Sequence, residues 1–316
     1  RVDDSRGAVD VHGNALAALS GRQLCLNGTR NLGETPLDMP GLRAAVLNLD
    51  DHFGVEQARR LAGRGLQVIG YTLNPTNADV APVNRLIVAE RLTTTAAGIR
   101  FTARSGNESA DVYPNLVGQF NVSNLLAVIG TLLASGFSLE DAATVAEDLT
   151  PPQGRMQTLG GVGDPLVVVD YAHSPDALEQ VLTAVRPTVK ARNGRLVCVF
   201  GCGGDRDPGK RPLMGEVARR LADQVVLTSD NPRGEDPDVI LQAIAAGAGE
   251  GAEIISDRAE AIRRAILAAA ADDVIVIAGK GHEPYQEING VRHPFSDVEQ
   301  TRAALEIWND AQGELS

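Results

Sequence analysis

The sequence predicts an α/β fold in which a doubly wound, mostly parallel sheet domain follows part of a second α/β domain. Two observations carry this prediction. From about Pro165 onward, short apolar runs rich in Val and Ile alternate with stretches of helical periodicity, which is the pattern of parallel strands buried by helices on both faces. The length of 316 residues also corresponds to two domains at the usual ~100–200 residues each.

Four apolar runs in the C-terminal half predict the strands of the doubly wound sheet. They are Leu166–Asp170, Arg195–Phe200, Gln224–Thr228 and Val274–Ala278. Helices are expected after residues whose side chains can accept hydrogen bonds from the first helical turn, namely Ser174, Asp236, Asp257 and Ser296. Proline follows the first two directly, and Glu299 completes a capping box with the last. The pattern predicts one domain over residues 153–316.

The sequence pattern of residues 41–152 predicts part of another α/β domain. In chain order, the expected elements are a strand at Arg43–Asn48, a helix at Val55–Ala62, a strand at Leu66–Tyr71, antiparallel strands within 84–104 and a helix at Asn121–Ala134. The first three form a strand–helix–strand unit. Consecutive prolines at Thr150–Gln153 predict a linker. Residues 1–40 have no clear periodicity and are poorly specified.

Charge and composition argue against several classes of function. A net charge of -12 disfavours general nucleic-acid binding, which needs a basic surface. No apolar run approaches the roughly 18 residues of a membrane span, and the sequence contains no signal peptide. We therefore expect a cytoplasmic protein without a membrane partner. The three cysteines form no Cys-x-x-Cys pair, which fits a reducing compartment and disfavours a zinc site.

Polar residues follow each of the four predicted strands, at the place where ligands of open α/β sheets bind. The side chains expected to share this crevice are Asp170, His173, Asp205, Arg206, Asp230, Asn231, Arg233, Lys280, His282 and Glu283. Simpler explanations exist for each segment, because glycine pairs and Asn-Pro often form turns and a single histidine is often structural. A structural sheet does not need charge at all four carboxyl ends, so the sequence predicts a ligand site.

Seven short motifs in fixed order resemble those of the Mur ligase family. They are Gly154-Arg155-Met156, Asp170-Tyr-Ala-His173, Phe200-Gly-Cys-Gly-Gly-Asp-Arg-Asp207, Lys210-Arg-Pro-Leu-Met214, Asp230-Asn-Pro-Arg233, Gly279-Lys-Gly-His-Glu283 and Phe295-Ser-Asp297. Asn48-Leu-Asp-Asp51 and Phe120-Asn-Val-Ser-Asn124 extend the resemblance into the family's central ATPase domain. The resemblance covers roughly residues 41–316, so the expected order is part of the central domain followed by the amino-acid-binding domain.

The resemblance implies an ATP-dependent, amide-forming ligase that uses Mg²⁺ and adds meso-2,6-diaminopimelate to UDP-N-acetylmuramoyl-L-alanyl-D-glutamate in peptidoglycan synthesis. ATP converts the free carboxylate of the dipeptide into an acyl phosphate, and the incoming amine displaces phosphate. By resemblance, the residues that bind diaminopimelate are Arg206, Asp230, Asn231, Pro232, Arg233, Gly279 and Glu283. By the same resemblance, the residues that contact the nucleotide are Asn124, Arg155, Asp170 and His173.

Several parts of the family pattern are missing from this sequence. It contains neither a glycine-rich phosphate loop ending in Gly-Lys-Thr nor the amino-terminal domain that holds the uridine nucleotide, and its first lysine is Lys190. No lysine is available for the phosphate loop or for the carbamylated lysine that holds a metal ion in the family. We therefore identify no catalytic residue and no metal ligand, and we expect the chain alone to be inactive.

Two other functions remain open at this point. One is a non-catalytic paralogue that binds an amino acid or nucleotide, or regulates a full-length ligase. The other is a ligase similar to folylpolyglutamate synthase, in which Asp230-Asn-Pro-Arg233 is not expected. The chain begins at Arg1 rather than Met, and residues 7–37 match none of the family's motifs. We expect a fragment, a frameshifted gene or a diverged paralogue.

Overall fold

The computed structural model describes residues 42–77 and 81–313, together with the backbone of Gln23–Leu26. These residues form two compact units. The first consists of the described residues up to Thr93 with Ile99–Pro114 and Gln119–Leu149, and the second consists of Thr94–Gly98, Asn115–Gly118 and the described chain from Thr150. None of the helices in the described ranges is long and apolar enough to cross a membrane.

The described residues of the first unit form a six-stranded sheet with three α-helices and a short 3-10 helix at Pro75–Asn77. Its elements are β1 (Gln23–Leu26), β2 (Ala44–Asn48), α1 (His52–Leu61), β3 (Gln67–Thr72), β4 (Arg85–Thr95), β5 (Gly98–Ser105), β6 (Glu108–Val112), α2 (Gln119–Ala134) and α3 (Leu139–Glu147). The strands are ordered β1-β2-β3-β4-β5-β6. Strands β1 to β4 pair in parallel, and β5 pairs antiparallel with β6. The predicted strand–helix–strand unit and the long apolar helix are confirmed.

The second unit contains a six-stranded sheet, a separate two-stranded hairpin and five helices. Its elements are β7 (Gln157–Gly160), β8 (Leu166–Asp170), α4 (Pro175–Arg192), β9 (Leu196–Phe200), α5 (Lys210–Leu221), β10 (Gln224–Leu227), α6 (Pro237–Ala248), β11 (Glu253–Ile254), α7 (Arg258–Leu267), β12 (Val274–Ala278), β13 (Tyr285–Ile288), β14 (Val291–Pro294) and α8 (Asp297–Gly313). The sheet order is β11-β10-β9-β12-β8-β7. Its pairs are parallel except β7 with β8, and β13 pairs antiparallel with β14.

Helices cover both faces of this sheet, as the doubly wound prediction requires. Val168 and Val276 join the apolar core that packs under α4, α5 and α6. Their strand neighbours Val167 and Ile275 join the core under α7 and α8. Successive side chains of a strand point to opposite faces, so a strand of continuous Val and Ile supplies both cores. This explains why the central strands are apolar throughout.

Sequence reasoning missed the antiparallel edge strand β7 and the hairpin of β13 and β14. Each of these strands has four residues. Their side chains are mainly half-buried or exposed, so they lack the apolar runs that identified the central strands. Strand β1 lies within residues 1–40, where no periodicity was found, and its backbone pairs with β2 from Gln23 to Leu26.

The predicted helix caps are present and begin the helices that follow the strand ends. Ser174 Oγ accepts a hydrogen bond from the Ala177 N–H at 3.3 Å, and Ser296 Oγ accepts one from the Glu299 N–H at 3.3 Å. The side chain of Asp257 caps α7 in the same manner. Each cap satisfies an N–H group that has no partner inside its helix. The caps thereby fix where each loop ends at the carboxyl edge of the sheet.

Candidate functional site

The loops after β8, β9, β10 and β12 meet at one edge of the second sheet. The Gly279 N–H donates to the Asp170 carbonyl at 3.1 Å, which joins the loops after β12 and β8. A Cβ atom on Gly201 would lie 2.0 Å from the Thr228 carbonyl oxygen, so the loops after β9 and β10 approach too closely for any side chain there. The edge therefore gathers polar residues from four separate parts of the sequence, as expected for an open parallel sheet.

Asn231, Lys280 and Glu283 form a hydrogen-bonded group at the centre of this edge. Lys280 Nζ donates to Asn231 Oδ1 at 2.9 Å and to Glu283 Oε2 at 3.3 Å. Asn231 Nδ2 donates to the same Glu283 oxygen at 2.8 Å. The Lys280 side chain is completely buried and Asn231 is 2% exposed. Three side chains from two loops are thus fixed relative to one another.

Asp230 lies beside this group, but its carboxylate takes no part in the hydrogen bonds. Its residue is 8% exposed, yet neither carboxylate oxygen accepts a hydrogen bond from a described residue. Burial raises the pKa of the Asp230 carboxyl, against the lowering effect of the neighbouring Arg258 and Lys280 cations. A Cβ atom on Gly279 would lie 2.5 Å from Asp230 Oδ2. Asp230 is therefore a sheltered carboxylate with unused capacity to accept hydrogen bonds.

Backbone and side-chain hydrogen bonds join the hairpin of β13 and β14 to the loop after β10. Gln286 Nε2 donates to the Asp230 carbonyl at 2.8 Å, and the Glu287 N–H donates to Asn231 Oδ1 at 3.0 Å. The Arg233 N–H donates to the Glu287 carbonyl at 3.0 Å. Pro232, which has no N–H to donate, falls between these contacts. The hairpin thus holds the whole Asp230–Arg233 segment in one conformation.

Arg233 and Arg206 supply positive charge near the carboxylates. Arg233 Nη1 donates to the Gly204 carbonyl at 2.8 Å, and its Nε lies 3.9 Å from Glu287 Oε2. Its side chain is 21% exposed, so part of the guanidinium fork remains accessible. Arg206 is exposed and has no ion pair within the described residues. Both guanidinium groups can therefore donate hydrogen bonds to a carboxylate ligand.

An ion pair between buried Arg211 and half-buried Glu235 fixes the loop that carries Arg206. Arg211 Nη2 donates to both Glu235 oxygens at 2.8 Å, and Glu235 Oε1 also accepts from the Asp205 N–H at 2.6 Å. The Arg211 side chain is 4% exposed. The hydrogen bond from Arg211 is the main reason that the pKa of Glu235 lies below its ordinary value. The pair holds the turn after β9 against the loop after β10.

A second cluster at the same edge consists of aromatic, imidazole and guanidinium groups. The Arg155 guanidinium carbon lies 5.2 Å from the centroid of the Tyr171 ring. The same ring lies 4.7 Å from the His173 ring and 5.4 Å from the His282 ring. Lys210 Nζ donates to the His173 carbonyl at 2.8 Å. The cluster presents flat π-surfaces beside cationic groups, which suits an aromatic anion such as a nucleotide.

Asp170 holds the loops of this cluster together. Its Oδ2 accepts from the Met156 N–H and its Oδ1 from the Ala172 N–H, each at 2.8 Å. Burial raises the pKa of Asp170, and those two backbone hydrogen bonds oppose the rise. A Cβ atom on Gly154 would lie 2.2 Å from the backbone nitrogen of His282. The segment that carries Arg155 therefore packs directly on the loop after β12.

The structure brings together the candidate residues of the second unit and places one candidate elsewhere. Asn124 lies on α2 of the first unit, where its Nδ2 donates to Asn121 Oδ1 at 3.3 Å. Sequence reasoning did not single out Arg258, whose side chain is completely buried and pairs with Asp297. Arg258 is the first residue of α7, and no local pattern marked it. Asp297 was visible only as the end of a motif.

Two family models match the chain. The Mur ligase middle domain matches residues 37–132, and the Mur ligase glutamate ligase domain matches residues 154–281. Among curated relatives, the UDP-N-acetylmuramoyl-L-alanyl-D-glutamate--2,6-diaminopimelate ligase of Ectopseudomonas mendocina is 50% identical over 274 residues, which are 86% of this chain and 54% of that protein. The protein of the same name from Janthinobacterium sp. is 46% identical over 306 residues, or 95% of this chain and 57% of that protein.

Solved structures give the same grouping. A structure of a UDP-N-acetylmuramoyl-L-alanyl-D-glutamate--2,6-diaminopimelate ligase matches with a TM-score of 0.68 and 38% identity, over 89% of this chain and 59% of that chain. Folylpolyglutamate synthase from Thermotoga maritima matches with a TM-score of 0.51 and 17% identity, over 75% of this chain and 57% of that one, and shows the fold alone. The chain spans about half the length of the curated relatives it matches. With both domain models matched and relatives this similar, the chain belongs to the Mur ligase family.

Proposed function

We propose that this chain provides the amino-acid site and part of the nucleotide site of an ATP-dependent ligase. The ligase joins meso-2,6-diaminopimelate to UDP-N-acetylmuramoyl-L-alanyl-D-glutamate. The observation that supports this most is the pairing of unused carboxylate acceptors on Asp230 and Glu283 with the accessible guanidinium groups of Arg206 and Arg233. Diaminopimelate carries two ammonium and two carboxylate groups, so its site needs partners of both signs. Relatives named for this reaction support the choice of amino acid.

In this proposal the residues of the edge bind and orient the amino acid rather than react with it. Asp230 and Glu283 accept hydrogen bonds from an ammonium group, and Arg233 binds the carboxylate at the far end of the molecule. Gly279 leaves room for the close approach, because any side chain there would meet Asp230. When the amine attacks the acyl phosphate, it forms the C–N bond, loses one proton and releases phosphate. Fixing the amine near the acyl group accounts for the contribution of these residues to the rate.

The second cluster is proposed to bind the nucleotide. Arg155 and His173 contact it, and Asp170 holds the loops that present them. Asn124, on α2 of the first unit, is proposed separately as a nucleotide contact. When bound, ATP supplies the phosphoryl group that activates the carboxylate. Among the described residues, no three His, Cys, Asp or Glu side chains come together in a way that could hold a metal ion. The proposal therefore assigns Mg²⁺ no ligand from this part of the chain.

Calorimetric titration of diaminopimelate and lysine into the wild type and Arg233→Ala tests the assignment of the amino acid. The two ligands differ by one carboxylate at the far end. Because hydrogen bonds between charged groups are among the stronger ones, Arg233→Ala should weaken diaminopimelate binding by about one to two orders of magnitude and leave lysine binding nearly unchanged. Arg219→Ala, an exposed arginine in the last turn of α5, serves as the control. Equal losses for the two ligands would refute the role of Arg233.

A second candidate, a non-catalytic binding or regulatory protein, is supported by the absence of lysine before Lys190. We propose that the chain alone does not turn over, because neither lysine expected from the family pattern is present. The chain mixed with ATP, Mg²⁺, the UDP-linked dipeptide and diaminopimelate should release phosphate no faster than the mixture without protein. Turnover above that background would contradict this proposal and would remove the main support for the non-catalytic candidate.

A further inference from the structure

We propose that Lys280 is the positioning residue of the amino-acid site. Its ammonium group fixes the Asn231 amide and one oxygen of Glu283, which leaves the other Glu283 oxygen and the Asp230 carboxylate for an ammonium group of the substrate. The inference deepens the proposed function and rests on it, because it identifies the residue that prepares the receptor for the amine. Lys280 contacts the site residues and not the reacting atoms.

The burial of Lys280 is the first support. Its side chain has no exposed surface, and a charged group buried to this degree is costly unless it is paired and hydrogen-bonded. Two of its three N–H groups have acceptors, on Asn231 and Glu283. The Tyr285 ring centroid lies 5.6 Å from Nζ and contributes a weaker cation–π contact. The ammonium group is therefore held in one place.

The orientation of the Asn231 amide is the second support. Asn231 Oδ1 accepts from both Lys280 Nζ at 2.9 Å and the Glu287 N–H at 3.0 Å. A reversed amide would place its NH₂ group against these two donors, because an amide nitrogen accepts no hydrogen bond. The amide nitrogen is consequently directed to Glu283 Oε2 at 2.8 Å. Lys280 supplies one of the two donors that select this orientation.

The unequal use of the two Glu283 oxygens is the third support. Oε2 accepts from both Asn231 and Lys280, whereas Oε1 has no hydrogen-bond partner among the described residues. The Asp230 carboxylate also has no hydrogen-bond donor within that part of the chain; the bond from Gln286 goes to the Asp230 carbonyl. Two carboxylates therefore face one lysine, which leaves a formal charge of about -1 if all three are ionised. A substrate ammonium group supplies the missing positive charge and the missing donors.

Titration of diaminopimelate and lysine into Lys280→Met tests the inference. Methionine keeps much of the apolar stem and removes the charge. Because both ligands carry the ammonium group, both should bind about tenfold or more weakly. Arg233→Ala, in contrast, should affect diaminopimelate alone. Lys190→Met, at an exposed position of α4, is the matched control and should bind both ligands as the wild type does. Wild-type affinity of Lys280→Met for both ligands would overturn the inference.

A readout without ligand separates positioning from loss of structure. The side-chain amide of Asn231, identified by its disappearance in Asn231→Asp, should shift in the ¹H–¹⁵N NMR spectrum of Lys280→Met and stay unchanged in Lys190→Met. The pKa of Asp230 should rise in Lys280→Met, because one neighbouring positive charge is lost while Arg258, Glu283 and Asp297 remain. If the Asn231 amide signal and the Asp230 pKa are both the same in Lys280→Met as in the wild type, the positioning role of Lys280 is contradicted.

The two experiments distinguish the failure of the inference from the failure of the proposed function. If the wild type binds neither amino acid while the Asn231 signal shifts in Lys280→Met, the proposed function fails and the positioning of Asn231 by Lys280 stands. If the wild type binds diaminopimelate and Lys280→Met binds it equally well, the inference fails alone. Denaturant unfolding of each variant, followed by the fluorescence of Trp308, the single tryptophan of the chain, confirms that the second unit is folded.

Discussion

Asp297 and Asp230 are both buried at the same edge of the second sheet. They differ in the hydrogen bonds that their carboxylates accept. Asp297 has a side chain with no exposed surface, and its oxygens accept from Arg258 Nε at 2.7 Å and Nη2 at 2.8 Å. Arg258 also donates to the carbonyl of Ala278 at 3.0 Å, at the end of β12. The carboxylate of Asp230, a residue that is 8% exposed, receives no hydrogen bond from a described residue.

This contrast distinguishes a buried charge that stabilises the fold from one that is available to a ligand. The pair of Arg258 and Asp297 is complete, because each charge meets the other in a two-point contact and no ligand is needed. Asp230 has paid the desolvation penalty of burial without gaining a donor in return. A buried carboxylate without a hydrogen-bond donor is therefore a candidate ligand-binding group. The predictions below test this distinction through the stability of the second unit.

The largest effect is expected from Asp297→Asn. The substitution leaves the Arg258 guanidinium buried without its counter-charge, and breaking a buried pair in this way costs about 3–5 kcal/mol. Urea unfolding followed by Trp308 fluorescence measures the loss. Trp308 lies in α8 and its Nε1 donates to the Ala269 carbonyl at 2.9 Å, so its emission reports on the second unit.

The control for this prediction replaces both partners. Arg258→Met combined with Asp297→Leu removes the two charges together, and replacing a whole buried pair by apolar residues is often neutral or stabilising. The double variant should therefore unfold at a higher urea concentration than Asp297→Asn. If Asp297→Asn is as stable as the wild type, the ion pair of Arg258 and Asp297 does not stabilise the second unit.

An intermediate effect is expected from Gly279→Ala. Gly279 has a φ of +118° and a Cβ there would lie 2.5 Å from Asp230 Oδ2. Backbone strain of this kind costs on the order of 1–3 kcal/mol, and the clash displaces the Asp230 carboxylate. We expect a lower urea midpoint together with weaker diaminopimelate binding. Gly290→Ala, which has a φ of +75° but open space around it, separates backbone strain from the clash, because it should leave binding unchanged.

Asp230→Asn should change stability in the opposite direction from Asp297→Asn. Removing a sheltered, unpartnered charge should stabilise the free protein by about 0.5–2 kcal/mol, the usual size of a stabilising substitution, while diaminopimelate binding weakens. Because burial raises the pKa of Asp230 above its ordinary value of 3.8, the folded state binds more protons than the unfolded state just above that pH. The wild type therefore loses stability as the pH rises through this window.

The pH dependence gives this prediction its check. The stability difference between Asp230→Asn and the wild type should be small below pH 3.8, the ordinary value, and should grow until the pH passes the raised pKa. Trp308-monitored unfolding over a pH series measures it. A difference that shrinks as the pH rises, or a variant less stable than the wild type at neutral pH, would contradict the view of Asp230 as an unpartnered charge.

The smallest effect on stability is expected from Arg206→Ala. Arg206 is exposed and forms no ion pair with a described residue, and substitutions at such positions usually change stability by less than about 0.5 kcal/mol. Diaminopimelate binding should weaken all the same, because a carboxylate ligand loses a guanidinium partner. Unfolding and calorimetry on one preparation measure both quantities. A marked loss of stability with unchanged binding would place Arg206 in the scaffold instead.

The sequence predicted those parts of the fold and of the candidate site that depend on local patterns. Continuous Val and Ile runs identified β8, β9, β10 and β12, because a strand buried on both faces has no polar alternation. The hairpin of β13 and β14 was not predicted, because its short strands are largely polar and lack an apolar run. The proposed boundary near residue 153 and the assigned site residues remain predictions that the binding and unfolding experiments can test.

The order of the polar strand ends and the charges that they carry can be read from short sequence segments, because both are local properties. Which of those charges find a partner depends on the folded arrangement of the loops. Asp230 and Asp297 both belong to recognisable motifs. Asp297 pairs with Arg258, which precedes it by 39 positions, whereas the Asp230 carboxylate has no hydrogen-bond donor among the described residues. Hydrogen-bond saturation depends on distances between loops that are remote in the chain, and these distances are fixed only when the parallel sheet brings its carboxyl ends together.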